Sequence, residues 1–293
     1  MGGGLYLKMV FEILQYSFIQ RALISGIAVA VSCSAVGLFL VLRRQSLFGD
    51  ALSHVAFGGI ALGLFTNLYP LWTALVVSVF ASLGITKLRQ STKIPPDAAV
   101  AIMLSSGLAV GIILIGLSGG FSLDLESFLF GSILLISSQD QLMILLLSAV
   151  IVVVIFKFFK QFTYIAFDED QARVSGIDVT KLIYMFIVLA SLAVIVSVRL
   201  VGVLLISSLI VIPNISAMMF GKGFKKTMFI SISIAAVSVI GGIVTSFVFD
   251  LAPGGTIVIL SITILLGIMC TKSISKRIRY QKKEIPSLKM AKQ

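Results

Sequence analysis

An all-α polytopic membrane protein is the architecture to expect of this chain, with eight to nine transmembrane helices and a short re-entrant or interfacial helix near 127–137. Composition points there first: 58% of the 293 residues are hydrophobic, only 12% are charged, and the mean hydropathy is +1.12. A soluble domain carries about 25% charged residues, so a water-soluble core of this length is excluded. Apolar runs of about 20 residues, each long enough to cross a ~30 Å hydrocarbon layer, recur along the whole chain. The third observation is the sidedness of the charges between those runs.

In chain order the apolar spans fall near 19–42, 51–66, 70–86, 98–118, 140–159, 182–198, 200–220, 227–248 and 255–271. The run 127–137 is too brief to cross. The sixth and seventh spans are parted only by "VRLV", so one of them is expected to be short or broken. Of the 23 basic residues, all but Lys8, Arg21 and Arg199 fall on one side of an alternating topology. Such asymmetry marks the cytoplasmic side, which places the N-terminus outside and the C-terminus in the cytoplasm of a cell-membrane protein. The chain is expected to be a single transmembrane domain, 1–293, with a helical core over about 15–271 and a basic cytoplasmic tail over 272–293.

The net charge of +11 therefore reads as loop and tail charge beside anionic lipid, not as a nucleic-acid surface. Cys33 and Cys270 each sit in an apolar run without a CxxC partner and read as packing residues. "GKGFKKT" (221–227) resembles a phosphate loop only superficially, because Ala217 stands where its first glycine belongs. No nucleophile–base set is visible either, which argues against an intramembrane hydrolase. Energy must then come from an ion gradient or from another subunit.

Four segments could carry chemistry. "FGDALSHVAFGGIALG" (48–63) holds the only histidine of the chain, His54, one helical turn after Asp50. Counted from Arg44 at 1.5 Å per residue, Asp50 lies about 9 Å and His54 about 15 Å into the span. The i, i+4 spacing puts both side chains on one face. A polar pair at that depth costs about 2–3 kcal/mol per charged group unless compensated. A divalent cation would compensate it, since carboxylate oxygen and imidazole nitrogen are ordinary ligands. A proton relay, or a hydrogen-bonded pair holding helices together, fits the same spacing.

In "FSLDLESFLFGSIL" (121–134), Asp124 and Glu126 lie on the outer side, either collecting cations at a pore mouth or as solvated loop charges. "FDEDQARVSGIDVTKL" (167–182) is a charged cytoplasmic segment broken by Gly176, either a docking element for a partner or a plain loop. A helix over 168–177 is expected there. Asp168, Glu169 and Asp170 favour its N-terminus, Ala172 offers a small packing surface, and Gly176 allows a left-handed end. "VGVLLISSLIVIPNISAMMF" (201–220) carries Ser207, Ser208, Pro213 and Asn214 in an aliphatic helix. Pro213 should kink it and free carbonyls for a cavity; serines that simply pack helices together are the alternative.

Taken in order, "RRQSLFGDALSHVAFGGIALG" (43–63), "LESFLFGSIL" (125–134), "AFDEDQARVSGI" (166–177), "VGVLLISSLIVIPNISA" (201–217) and "DLAPGGTIVIL" (250–260) resemble the permease subunits of zinc/manganese ABC importers. The resemblance runs from about residue 15 to 271, and its first and fourth blocks are the specific ones. It implies a homodimer, two cytoplasmic ATPase subunits that hydrolyse ATP in place of this chain, and an extracytoplasmic metal-binding protein. It implies eight or nine helices per subunit. It makes Asp50 and His54 stations of an intramembrane metal path, with Asp124 and Glu126 near the family's acidic outer block. It also makes Asp168, Glu169, Asp170, Ala172 and Gly176 part of an ATPase-coupling segment.

No permanently bound cofactor is implied; Zn2+ or Mn2+ is cargo, and imidazole favours zinc. Two competing readings remain. A chelate-type importer for siderophores or cobalamin would have a wide path without a free-metal ligand pair. A proton-coupled secondary metal transporter would use Asp50 and His54 as a relay.

Overall fold

The structure is a computed structural model that describes residues 16–92, 94–118, 120, 123–132 and 135–290, with only the backbone described at Gln90, Leu123, Asp124 and 274–290. Among the described residues the ordered elements are all helical. They are α1 (Ser17–Leu42), α2 (Ser46–Phe65), α3 (Pro70–Thr92), α4 (Pro96–Leu117), α5 (Leu123–Phe130), α6 (Ser138–Lys157), α7 (Phe159–Phe167), α8 (Glu169–Val174), α9 (Val179–Val201), α10 (Ile206–Met218), α11 (Phe224–Phe249) and α12 (Pro253–Met290). Eight of them are long and apolar enough to cross a membrane: α1, α2, α3, α4, α6, α9, α11 and the Pro253–Ser273 part of α12.

Burial sorts these spans. In α1 and α2, 72% of the best apolar window is buried, and in α9 67%, against 28–33% in the other five. The first three form the interior, and the others present one face to it and one to lipid. That is why the sequence shows apolar residues all round rather than an amphipathic stripe. At the basic end of the bundle, Phe39 of α1 stacks with Phe159 and Phe162 of α7, Phe186 of α9 and Phe224 of α11, with centroids 5.2–6.2 Å apart. Four elements are pinned there by one fully buried ring.

The short or broken span expected around "VRLV" falls in the region 200–220. α9 runs on to Val201, the chain turns at Gly202 (φ +83), and a 3-10 turn over Val203–Leu205 leads into the short helix α10. Pro213, expected to kink this helix, lies inside α10, which runs on through it. The break falls at Gly202 because a side chain there would strike the Leu129 carbonyl and the Gly131 nitrogen of the adjoining chain. The left-handed φ also disfavours any residue with a Cβ.

Despite its brevity, α10 joins the two ends of the bundle. The end of α9 just before it lies beside Gly254 at the start of α12, where a methyl would meet the Val201 carbonyl. Beyond the other end of α10, Phe220 sits 5.4 Å from the Lys272 ammonium at the close of the same span. The short apolar helix is also displaced from the expected 127–137. α5 starts at Leu123 and ends at Phe130, because Gly131 (φ +79) turns the chain against the Leu200 and Val201 backbone.

Candidate metal centre

The sequence around Asp50 and His54 makes a helix whose small residues let its neighbours come close. α3 and α4 flank α2. A methyl on Gly59 would stand 2.6 Å from the Ala74 Cα of α3, and one on Gly107 of α4 would stand 2.7 Å from the carbonyl carbon and oxygen of His54 itself. The backbone at the histidine is therefore gripped by bare glycine, which fixes the helix more tightly than side-chain packing could. His54 is the ninth of the 20 residues of α2 and so stands near the middle of its span.

Asp50 and His54 are both half-buried. One turn apart, their Cβ atoms are about 5–6 Å from each other on the same face. The Nδ1 of His54 is buried with no hydrogen-bond partner. Among the described residues, no hydrogen bond or ion pair engages the Asp50 carboxylate either; the local bond is Ser53 Oγ donating 2.8 Å to the Asp50 backbone carbonyl. An internal Asp–His hydrogen bond, the packing alternative, is thus not what the pair makes. A buried ring nitrogen without a partner costs about 1–3 kcal/mol, which a cation bound to it would offset.

The described residues hold no group of three or more His, Cys, Asp or Glu side chains able to surround a metal. Glu126 is exposed on α5, whose buried side is Leu125 and Phe128, and the structure does not gather it with Asp50 and His54. Asp124 lies on the α5 backbone, its side chain outside the described residues.

At the basic end, the charged segment over 168–177 folds as α8. The Asp168 carboxylate caps it, accepting from the Gln171 N–H at 2.9 Å. At the other end Gly176 (φ +80) donates to the Arg173 carbonyl and Ile177 to the Ala172 carbonyl, a Schellman end. Glu169 pairs with Arg173 at 3.2 Å and with Arg43 at 3.3 Å. Arg43 opens the turn into α2, a turn in which Arg44 takes φ +56. Burial lowers the Arg43 pKa from its ordinary value, and Glu169 opposes that. Ala172, expected to offer a small packing surface, is fully buried within the chain, while Val174, 89% exposed, and Asp170 face outward. An alanine one position from the apolar Arg stem packs inward because α8 rests on α7 and α9.

On α10, Ser207 and Ser208 are half-buried, whereas Asn214 is fully buried in a polar chain. Its Nδ2 donates 2.7 Å to the Ile210 carbonyl, and its Oδ1 accepts from Ser231 of α11 at 2.7 Å. Asn214 ties helices together, and Gly37 of α1 leaves room for its amide.

The opposite end holds a cluster that sequence reading missed. Asp140, 1% exposed, is the third residue of α6 and forms a capping box with Ser137. It also accepts from the Tyr69 hydroxyl and lies 3.5 Å from Nε of Arg199, whose guanidinium sits 4.0 Å over the Phe128 ring. Burial, then the Asp140 carboxylate, pushes the Tyr69 phenol up to about 12. A signal was present: Arg199 broke the sidedness of the basic residues, and a buried arginine needs an acid.

Among the described residues, an α-helical bundle of eight long spans and one short apolar helix, with a carboxylate and an unpartnered imidazole in mid-span, defines a polytopic membrane protein. Residues 15–272 match the ABC 3 transport family, and the chain belongs to it. It is 32% identical over 270 residues to the manganese import system permease protein ScaB of Streptococcus gordonii, covering 92% of this chain and 96% of that one. It is 30% identical to the high-affinity zinc uptake system membrane protein ZnuB of Haemophilus influenzae, over 84% of this chain and 94% of that one. Among solved structures, PsaBC from Streptococcus pneumoniae in complex with Fab superposes with a TM-score of 0.81 at 33% identity, covering 90% of this chain and 95% of that one.

Proposed function

We propose that this chain is the membrane-spanning permease subunit of an ATP-driven importer that passes a divalent transition-metal ion, zinc or manganese, from an extracytoplasmic binding protein to the cytoplasm. The observation that carries this reading is the mid-span pair on α2, with the His54 Nδ1 buried and unpartnered. Family membership supports the importer class, and relatives named for manganese and for zinc support the cargo class. Imidazole favours zinc over manganese, which prefers oxygen ligands.

Asp50 and His54 act as a transient station in this reading. The ion exchanges part of its hydration shell for one carboxylate and one ring nitrogen. Two protein ligands bind it weakly enough to release it, as conduction requires. Asp124 and Glu126 collect cations on the outer side. Energy enters at α8, where a partner ATPase meets Asp170 and Val174, and the Glu169–Arg43 pair passes its movement to the turn that begins α2. The chain works as a homodimer with two such ATPase subunits, its N-terminus outside and its basic tail in the cytoplasm.

The test is uptake of radiolabelled zinc and manganese by cells whose only such importer contains either the native chain or His54→Ala, at matched membrane levels. Uptake should fall about tenfold or more with the loss of one of two ligands. Unchanged uptake removes the ion path from α2. Transport by the purified chain along a proton gradient, without any ATPase, would overturn the importer reading altogether.

A further inference from the structure

At the end of the bundle that carries α8, a groove of about 570 Å³ opens between the α6–α7 junction and the start of α11. Lys157 and Lys160 stand on one side and Lys225 on the other, with Phe156, Tyr164 and Phe229 as its aromatic walls. No acidic residue lines it, and none of the three lysines takes part in an ion pair among the described residues. The three ammonium groups are exposed, and the one of Lys157 lies 5.7 Å over the Phe158 ring. Like charges gathered without a carboxylate repel one another, so the arrangement is completed by an anion.

The walls say what kind of anion. Phe156 is 47% exposed and Phe229 61% exposed, and each ends an apolar stripe running up its span. On α6 the stripe continues through Val153, Val150, Leu146 and Leu142, spaced every three or four residues along one face; on α11 the same face continues past the exposed Ser233 to Val237 and Ile240. The groove thus joins a hydrocarbon-facing surface to a cationic rim at the level where the spans end. A soluble phosphate would use only the rim, and a cytoplasmic protein would not need the stripes.

We propose that this groove binds an acidic phospholipid, its phosphate held by Lys157, Lys160 and Lys225 and an acyl chain laid between Phe156 and Phe229. Basic pockets between spans at a membrane boundary suit such headgroups. The proposal is independent of which ion the chain carries.

The experiment is native mass spectrometry of the purified full chain, titrated with phosphatidylglycerol or with phosphatidylcholine of the same acyl chains. The native chain should bind phosphatidylglycerol in preference to phosphatidylcholine. The Lys157→Gln/Lys160→Gln/Lys225→Gln form should bind phosphatidylglycerol about tenfold or more weakly, since each lysine contributes several-fold near an anionic headgroup. Its phosphatidylcholine binding should be unchanged. The single change Lys225→Gln, expected to weaken binding several-fold, serves if the triple form does not fold. Equal binding of the two lipids by the native chain overturns the proposal, as does undiminished phosphatidylglycerol binding by the variants. Loss of co-purifying ATPase subunits with lipid binding intact would assign these lysines to a protein contact and overturn it too.

Discussion

Replacing Gly107 by alanine adds one methyl at the point where α4 touches the backbone of the proposed metal helix. That methyl would lie 2.6 Å from the Val55 nitrogen and 2.7 Å from the His54 carbonyl carbon and oxygen, whereas ordinary contact begins at 3.4 Å. The obstacle is backbone, so no side chain can swing aside. α2 and α4 must part by about 0.8 Å to bring the closest of these to ordinary contact, at a cost of about 1–3 kcal/mol. The displacement falls on His54, and positional errors near 1 Å are costly wherever a site depends on aligned groups. Gly116→Ala, on the same helix, is the matched control, because nothing lies within 4 Å of a methyl there. Both variants would be assayed for radiolabelled metal uptake at equal membrane abundance and for thermal unfolding after purification. Gly107→Ala should lose most uptake and unfold at a lower temperature, while Gly116→Ala should match the native chain in uptake. If Gly107→Ala imports at the native rate, the close approach of α4 does not set the geometry of the site, and the reasoning fails.

Three further outcomes follow from the charged contacts and turns. Asp140→Ala leaves the largely buried Arg199 guanidinium without its carboxylate, which should cost about 3 kcal/mol and lower the unfolding temperature; an unchanged midpoint would show that the cluster contributes no stability. The single changes Arg43→Glu and Glu169→Arg should each impair uptake and the double exchange should recover part of it, with a coupling of about 1 kcal/mol; additive losses in uptake would mean the 3.3 Å pair transmits nothing. Gly176→Val forces a β-branched residue to φ +80 in open space, a backbone cost of about 1 kcal/mol or more. It should abolish ATP-driven uptake while zinc binding to the chain persists, and normal uptake with normal ATPase stimulation would reduce α8 to a connector.

Sequence by itself determined the class of this protein, because hydropathy and charge sidedness act residue by residue. A lipid solvent demands long apolar helices whatever their arrangement, so the eight long spans were legible in advance. So was the Asp50–His54 pair, since i, i+4 spacing on a helix is a local property. The end of α8 at Gly176 was legible for the same reason. What only the tertiary structure decided are the relations between distant segments. Tyr69 and Asp140 are 71 residues apart and Arg199 lies further along the chain again, and their cluster exists only because three helix ends converge. That the chain breaks at Gly202 follows from the approach of the Leu129–Gly131 backbone, which no local pattern records. What Ala172 and Asn214 pack against is not legible in one dimension; neighbouring helices bury both. Local periodicity fixes which face a residue occupies on its own helix, but whether that face meets protein, lipid or water is set by helices far away in the chain.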